Sequence, residues 1–193
     1  MTQPGKVVVL PFAIGAALLV VLMLPPLQRT MESSMSLHML LQYPALMLAG
    51  ALLGTAVPPS LAKRLSAWNV LGMTGLTAGA LSLAVLMIPR VLDLALVDTR
   101  VEAAKVGALL FAGAVLRPSW RAAGLVVHGF FLGSVVPMTI VVATLYQDSP
   151  IRLCNAYRID DQQRLGLGLL WTSGVLTVGW LVAVVRRLRH AAA

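Results

Sequence analysis

The chain has 193 residues, of which 59% are hydrophobic and 11% are charged, with a formal net charge of +8 and a mean hydropathy of +0.87. A soluble domain carries about 25% charged residues, so this composition excludes a soluble enzyme, a disordered tail and a nucleic-acid-binding protein. The single cysteine, Cys154, excludes an internal disulfide, a thiolate zinc cage and a four-cysteine iron–sulfur site. We therefore expect an integral membrane protein.

Six apolar segments are long enough to cross a bilayer, since a helix needs about 20 residues to span a hydrocarbon core of about 30 Å. No segment alternates apolar and polar residues, which argues against a β-barrel and leaves helices to satisfy the backbone hydrogen bonds. The predicted fold is all-α, a polytopic transmembrane helix bundle that forms a single domain over residues 1–193. The predicted spans are Val7–Leu24, Ser36–Val57, Asn69–Pro89, Val101–Leu116, Trp120–Leu145 and Leu165–Val185.

Two of these spans have an alternative interpretation. Lys6 precedes the first apolar run as in a signal peptide, but the run is long, ends at Pro25-Pro26 and lacks a small-x-small cleavage site, so we expect a retained helix. The fourth segment is short and has Glu102 and Lys105 near its start, so that Lys105 must extend to the interface. If this segment does not cross, five spans remain and the C-terminus changes sides.

Charge predicts the orientation of the bundle. The N-terminus, the loops at 58–68 and 117–119 with their flanks, and the C-terminus carry eight cations and no acidic residue. These cations are Lys6, Lys63, Arg64, Arg117, Arg121, Arg186, Arg187 and Arg189. The opposite loops carry seven cations and all seven acidic residues. Because short cation-rich loops stay in the cytoplasm, we expect both termini inside and interpret the charge of +8 as an orientation signal.

Small residues and prolines predict the helix contacts. Two prolines, Pro44 and Pro137, lie inside the second and fifth spans, where each removes a hydrogen-bond donor and favours a kink. Glycines in the GxxxG spacing predict close helix packing; the pairs are Gly50/Gly54, Gly75/Gly79 and Gly129/Gly133.

A stripe of soft donors leads into the second span. On a helix that turns about 100° per residue, five side chains share one stripe about 100° wide. They are Met31, Met35, His38, Met39 and Gln42. Thioether and imidazole groups suit Cu(I) better than magnesium, calcium or manganese, so the stripe is a candidate copper site at the outer end. The alternative is ordinary packing, because methionine is a common apolar filler of helices.

Five other residues each have a functional and a structural interpretation. His128 is a candidate ionisable site inside the fifth span, or a neutral side chain bonded to a neighbouring helix. Met138 adds a thioether or packs in the core, and Cys154 is a transient Cu(I) ligand or a structural thiol. Asp160 and Asp161 cap the sixth helix, pair with Arg90 or Arg100, or shape the access of a metal.

Motifs typical of enzymes do not occur. The sequence has no hydrolase triad, Walker loop, HExxH helix or dinucleotide fingerprint, and Ser60, Ser119 and Ser173 have no nearby histidine. Without an acid–base pair inside the bundle, a membrane protease or a proton-coupled pump is poorly supported. We therefore expect that the protein is not an enzyme.

Three segments share their order and spacing with a known family. Ser34–Leu41 is similar to an HMxxHMLL motif, and the middle segment comprises Ile88–Leu96 and Leu109–Ala114. The third combines Leu145-Tyr146 with Asp161–Trp171, which reads DQQRLGLGLLW. Together, over about residues 34–172, the segments resemble the membrane-embedded CtaG family of cytochrome c oxidase assembly factors.

The resemblance implies an assembly factor for a haem–copper oxidase in the bacterial inner membrane, with an oxidase subunit or a periplasmic copper donor as a partner besides the lipid bilayer. It also implies that Cu(I) is handled at the outer face. The implied metal site is Met35, His38 and Met39, with weaker support from Met31, Gln42, Asp161 and Gln162. The chain departs from the motif at Ser34, where the family has its first histidine, has no histidine in Val101–Leu110, and is short for the family with fewer spans.

Two further functions fit the same sequence. A metal-free membrane scaffold or accessory subunit of a respiratory complex would use the glycine faces to bind its partners. A small copper transporter would line a path from His38 to His128 past the kinks at Pro44 and Pro137, although few polar side chains lie inside the spans.

Overall fold

The computed structural model describes the backbone of residues 4–192 and the side chains of residues 9–190. Every regular element in this range is helical, which confirms the predicted all-α fold. Lys6, one of the cations used to predict the orientation, has its side chain outside the described part. The α-helices are α1 (Pro4–Leu22), α2 (Pro25–Glu32), α3 (Met35–Leu37), α4 (Tyr43–Leu53), α5 (Pro59–Trp68), α6 (Met73–Leu86), α7 (Pro89–Val97), α8 (Thr99–Ala122), α9 (Leu125–Asp148) and α10 (Ile159–Ala192).

Three helical segments are long and apolar enough to cross a membrane: Met35–Ala56, Leu125–Asp148 and Ile159–His190. Two bent pairs, α1 with α2 and α5 with α6, bring the number to five if each pair is one span. The 24 residues of α8 give it the length of a span, but charged side chains lie at both of its ends. The structure thus supports three to five spans, and six spans with both termini inside stay a prediction.

The boundary between the predicted fourth and fifth spans is different in the structure. Helix α8 continues through Pro118 to Ala122, so Trp120 belongs to α8 and not to the start of the next span. The helix ends where Ala123 and Gly124 adopt extended backbone angles, and α9 begins at the following residue. Pro118 therefore does not end helix α8.

Three segments predicted as loops are helical, namely α2, α5 and α7. Each has proline in its first turn: Pro25, Pro59 and Pro89. Proline fits this position because its φ is fixed near the helical value and the N–H that it lacks has no partner there. A search for long apolar runs passes over these short helices. Helices α1 and α2 meet at a bend of 71°, and helices α5 and α6 at one of 69°.

The long helices run in alternating directions and give the bundle two ends. His38, just before α4, contacts Lys105 near the start of α8, and Ala51 of α4 contacts Arg117 near the end of α8, so these helices are parallel. Gly75 of α6 lies against Ser119, so α6 runs the opposite way. We call the end with α2, α7, the loop 149–158 and the starts of α8 and α10 the acidic end, and the end with α5, the α8–α9 turn and the last turns of α10 the basic end.

Two of the three predicted glycine pairs make close contacts within the chain. A Cβ on Gly50 would overlap the backbone of Leu110, and a Cβ on Gly75 would overlap Ser119. In the third pair, Gly133 has no atom within 4 Å of the position where a Cβ would stand. The first two glycine faces are therefore occupied by α8 and are not available to a partner protein.

Candidate functional site at the acidic end

The predicted stripe of soft donors lies on two helices and not on one. Ser33 and Ser34 interrupt the helix, so that Met31 lies on α2 while the other members lie on α3 and the turn that follows it. Met31 is half-buried. The interior members are Met35, His38, Met39 and Gln42, which are at most 5% exposed. Four of the five members of the stripe are therefore buried together, and the break at Ser33 and Ser34 separates Met31 from them.

A widened helical turn positions His38. Residues His38–Gln42 form a π-helix, in which the N–H of Tyr43 donates to the carbonyl of His38 five residues back. Pro44 follows directly and has no N–H to donate to Leu40, which weakens the α-helical bonding of this turn. Such turns occur frequently at functional sites.

Both nitrogens of the His38 ring are hydrogen-bonded. Nε2 lies 2.8 Å from Nζ of Lys105, and Nδ1 lies 2.7 Å from Oη of Tyr157. Because an ammonium group only donates, Nε2 accepts, so Nδ1 carries the proton and donates to Tyr157. Oη of Tyr157 in turn donates to the carbonyl of Glu32 at 3.0 Å. The result is one directional chain of hydrogen bonds through a neutral imidazole.

Lys105 is the centre of a charged cluster. It is 1% exposed, and its Nζ lies 2.7 Å from Oε2 of Glu102 and 3.4 Å from Oε1 of Glu32. Gln28 Nε2 donates to one oxygen of each carboxylate at 3.1 Å. Gln42 Oε1 accepts from Lys105 at 3.4 Å, while Gln42 Nε2 is buried without a partner. We call Lys105, His38, Tyr157, Glu32 and Glu102 the His38 cluster.

Asp161 connects α10 to the start of α3. Its carboxylate accepts from the backbone N–H of Met35 and from the hydroxyls of Ser34 at 2.9 Å and Ser36 at 3.2 Å. It therefore supplies the N-terminal cap that Ser34 does not provide with its own side chain. Asp160 instead forms an exposed ion pair with Arg158 at 3.6 Å. Asp160 and Asp161 both lie in the first turn of α10, as expected for acidic residues at the start of the last helix. Within the described residues, Asp161 forms no ion pair with Arg90 or Arg100.

The loop 149–158 is held over the acidic end by polar side chains from α7 and α10. Gln162 accepts from the N–H of Leu153 at 2.8 Å and donates to the carbonyl of Tyr146 at 3.1 Å. Asp93 accepts from the backbone N–H groups of Asn155 and Ala156. Gln162 therefore has its oxygen and its nitrogen bound to backbone groups, and it is a support of the loop.

Cys154 lies inside this loop and is 1% exposed. Its Sγ is 3.8 Å from the carbonyl of Pro89. Burial, and then the nearby Asp93 carboxylate, raise the pKa of Cys154 to about 12. The thiol is therefore protonated at neutral pH, which favours the structural interpretation over a thiolate ligand.

Of the five members of the His38 cluster, sequence reasoning predicted only His38 as a site residue; it missed Glu32, Glu102, Lys105 and Tyr157. Tyr157 lies in a loop without a motif, and burial raises the pKa of its hydroxyl, which keeps it a donor. Glu102 and Lys105 did give a signal, since they were charges inside an apolar segment that we expected to extend to the interface. Lys105 extends inward instead, because Glu32, Glu102 and His38 offer it partners there.

The geometry does not fit a Cu(I) ion bound to His38. An ammonium group occupies Nε2 and a phenol occupies Nδ1, so neither ring nitrogen has a lone pair free for a metal. The cationic Lys105 would also repel a metal ion at this distance. Within the described residues, no group of three or more His, Cys, Asp and Glu side chains could hold a metal ion.

Four methionines line a cavity beside the His38 cluster. A cavity of about 270 Å³ between α4, α6, α9 and α10 is lined by Met39, Met47, Met87 and Met138 among other apolar residues. Of these four methionines, Met39 alone belongs to the predicted metal site. Met138 lines the same cavity as Met39. The stripe and the lining of the methionine cavity therefore share Met39.

His128 is at the opposite end of the bundle from His38. Its Nε2 lies 2.8 Å from the carbonyl of Trp120, and its ring stacks on the Trp120 indole with a centroid separation of 4.0 Å. His128 is therefore bonded to the neighbouring helix α8, which agrees with its structural interpretation and not with an ionisable functional site. It gives no support to a transport path between the two histidines.

Comparison of the chain with protein-family models, with curated proteins and with solved structures finds no match in any of the three. The resemblance to the CtaG family thus depends on the residues of the three segments alone.

Proposed function

We propose that this chain is a non-enzymatic, multi-span membrane protein that acts as an accessory or assembly factor for a haem–copper oxidase. In this proposal the acidic end faces the outer side of a bacterial inner membrane, the bundle has six spans with both termini inside, and the partner is an oxidase subunit. The acidic end is the working part of the molecule.

The observation that carries the proposal is the convergence of the three segments that resemble the CtaG family. The carboxylate of Asp161 from the third segment caps Met35 of the first, and Asp93 of the second segment holds the loop that contains Tyr157. Tyr157 then closes on His38. Residues far apart in sequence therefore form a single polar structure at one end of an apolar bundle, which is where an intramembrane function is expected.

The arrangement favours a metal-free role for His38 in the state described. The buried ion pairs and the hydrogen-bond chain give α2, α8, α10 and the loop a fixed relative position. A surface with fixed geometry and a polar rim is suited to docking another membrane protein. The GxxxG faces of α4 and α6 do not serve this docking, because α8 covers them.

Cu(I) handling is the second candidate, and the methionine cavity favours it. Thioethers are soft ligands for Cu(I), and Met39 lies both in the cavity lining and next to His38 in the chain. His38 would join such a site only after Lys105 or Tyr157 leaves its ring. The role of Met35, Met31, Gln42, Asp161 and Gln162 is then to support the site, and Cu(I) is the cargo.

The function is tested by deleting the gene in its host and measuring haem–copper oxidase activity and the haem spectrum of the membranes. We expect a loss of assembled oxidase that the wild-type chain restores and that Tyr157→Phe with Asp161→Asn restores poorly. Asp160→Asn, which removes an exposed charge one residue away, is the matched control and restores fully. Unchanged oxidase levels after deletion would refute the proposal.

Copper is tested separately by anaerobic titration of the purified protein with Cu(I) in the presence of a chromophoric chelator. For the metal-free role, the wild type and His38→Ala compete equally poorly with the chelator. For the second candidate, binding is present in the wild type, falls in His38→Ala and Met39→Leu, and rises in Lys105→Met because Nε2 is then free.

A further inference from the structure

The charges of the described chain are divided between the two ends. Every acidic residue lies at the acidic end, on α2, α7, the start of α8, the end of α9 or the start of α10. Within residues 9–190, the ion pairs are Lys105–Glu32, Lys105–Glu102 and Arg158–Asp160, all at that end. The cations of the basic end therefore have no carboxylate partner in the described part of the chain, and their counter-charge must come from outside it.

Two of these cations line one pocket. Arg117 and Arg121 are one helical turn apart on α8, so their side chains lie on the same face. They border a pocket of about 520 Å³ between α8 and the end of α4, whose other walls include Ala51, Thr55 and Ala114. The walls are small and mostly apolar, while the two guanidinium groups supply the positive charge.

Among residues 9–190, most of the guanidinium donors of this pocket have no hydrogen-bond partner. Arg117 is half-buried and uses Nη1 on the carbonyl of Ala51 at 3.2 Å, and Arg121 is exposed. The hydroxyl of Thr55 donates to the carbonyl of Leu52 in its own helix. A guanidinium carries five N–H donors. The single bond from Arg117 to the carbonyl of Ala51 therefore leaves most donors of the two arginines able to bind a ligand.

We propose that the pocket between Arg117 and Arg121 binds the phosphate of an anionic phospholipid from the leaflet at the basic end. Guanidinium groups bind phosphate with paired hydrogen bonds, and basic pockets between membrane helices bind anionic headgroups. The phosphate bonds to Arg117 and Arg121, and the glycerol and the upper acyl chains lie along the small apolar walls. This site is independent of the His38 cluster and of the proposed function.

Helix α5 at the same end favours a lipid over free phosphate as the source of the anion. All ten of its residues are exposed, and it is bent by 69° from the axis of α6. Leu61, Leu65 and Trp68 follow the i, i+4, i+7 spacing of one helical face, while Arg64 lies at the edge of that face and Lys63 on the opposite one. A short helix with an apolar stripe, a tryptophan and cations lies in the interface of a membrane with anionic lipids.

The test is lipid retention measured by native mass spectrometry of the full-length protein in detergent. The probes are phosphatidylglycerol, phosphatidylcholine of the same chain length, and inorganic phosphate. We expect selective retention of phosphatidylglycerol by the wild type, and about tenfold weaker retention by Arg117→Gln with Arg121→Gln, since charge-assisted hydrogen bonds are lost. The matched control, Arg186→Gln with Arg189→Gln, removes the same charge from the same end and keeps wild-type retention.

Each other outcome overturns the proposal. Equal retention of phosphatidylcholine, or inorganic phosphate that binds as well as the lipid, would show that the anionic lipid is not the ligand. An equal loss in the control would show a diffuse charge effect and no pocket. Arg121→Gln alone provides a variant that keeps the fold, because Arg121 is exposed; wild-type retention by this variant would exclude Arg121 as a ligand.

Discussion

The two ends of the bundle handle charge in opposite ways. The acidic end contains seven acidic and seven basic residues, and its most buried charges are neutralised within the chain. Within residues 9–190, the basic end contains seven basic side chains and no acidic one. One end therefore stabilises the fold through internal polar contacts, whereas the other presents cations that have no carboxylate partner among those residues. Substitutions at the acidic end should change stability, and those at the basic end should change lipid binding.

The largest effect is expected for Lys105→Met. The substitution leaves the carboxylates of Glu32 and Glu102 without their cation and removes the donor to His38. Removing one partner of a buried ion pair costs about 3–5 kcal/mol, which thermal unfolding in detergent would show as a marked decrease in Tm. Lys63→Met on exposed α5 is the basic-end control and changes the stability by less than about 0.5 kcal/mol. Equal decreases for the two variants would remove the contrast between the ends.

Tyr157→Phe should have the next largest effect. The change removes one hydroxyl but breaks two bonds, since Nδ1 of His38 loses its acceptor and the carbonyl of Glu32 loses its donor. A buried group left without its partner costs about 1–3 kcal/mol. Chemical denaturation of the purified protein measures this loss. Ser66→Ala on α5 removes a hydroxyl that bonds the carbonyl of Lys63 on an exposed surface, and we expect it to be neutral.

Asp161→Asn should cost about 1 kcal/mol, the usual contribution of a helix cap. The amide keeps the shape of the side chain but loses the charge that accepts from Met35 N–H, Ser34 and Ser36. Asp160→Asn is the matched control, because Asp160 forms only an exposed ion pair. Hydrogen exchange of the amides in α3 should increase in the first variant alone; an increase in both would mean that the charge, and not the cap, matters.

The smallest expected effect concerns the reactivity of the Cys154 thiol and not the stability of the protein. With a pKa near 12, Cys154 stays a thiol from pH 7 to pH 9, so a soluble maleimide should modify the native protein slowly across this range. The reverse holds for a cysteine introduced by Ser66→Cys on exposed α5, which should react readily and faster as the pH rises. Rapid modification of native Cys154 would mean that the loop 149–158 opens away from α7.

For the predicted site at the acidic end, the sequence indicated which residues share a face but not which neighbours they contact. Met35, His38, Met39 and Gln42 do face the interior, because a helical stripe is a local property of the chain. Their assignment as copper ligands did not anticipate Lys105, whose ammonium group occupies the His38 ring. Donor type and spacing describe what a side chain is able to bind, but the neighbours that reach it first depend on the packing of distant helices.

Charge distribution was predictable for the same local reason. Basic residues occur in every loop, but acidic residues occur only in alternate loops, and the separation into two ends follows once the apolar segments are helices. The short helices α2, α5 and α7 were missed although Pro25, Pro59 and Pro89 gave a start signal. Their lengths and mixed composition fall outside what a search for membrane spans detects.

By itself, the sequence determined an all-helical apolar chain with its charge concentrated at alternate turns, since composition and periodicity act over a few residues. Only the tertiary structure decided which polar groups are buried together. His38 meets Lys105 across 67 positions and Tyr157 across 119 positions of the chain. Such pairings require several helices to pack first, and a buried polar group takes whichever partner that packing brings within hydrogen-bond distance.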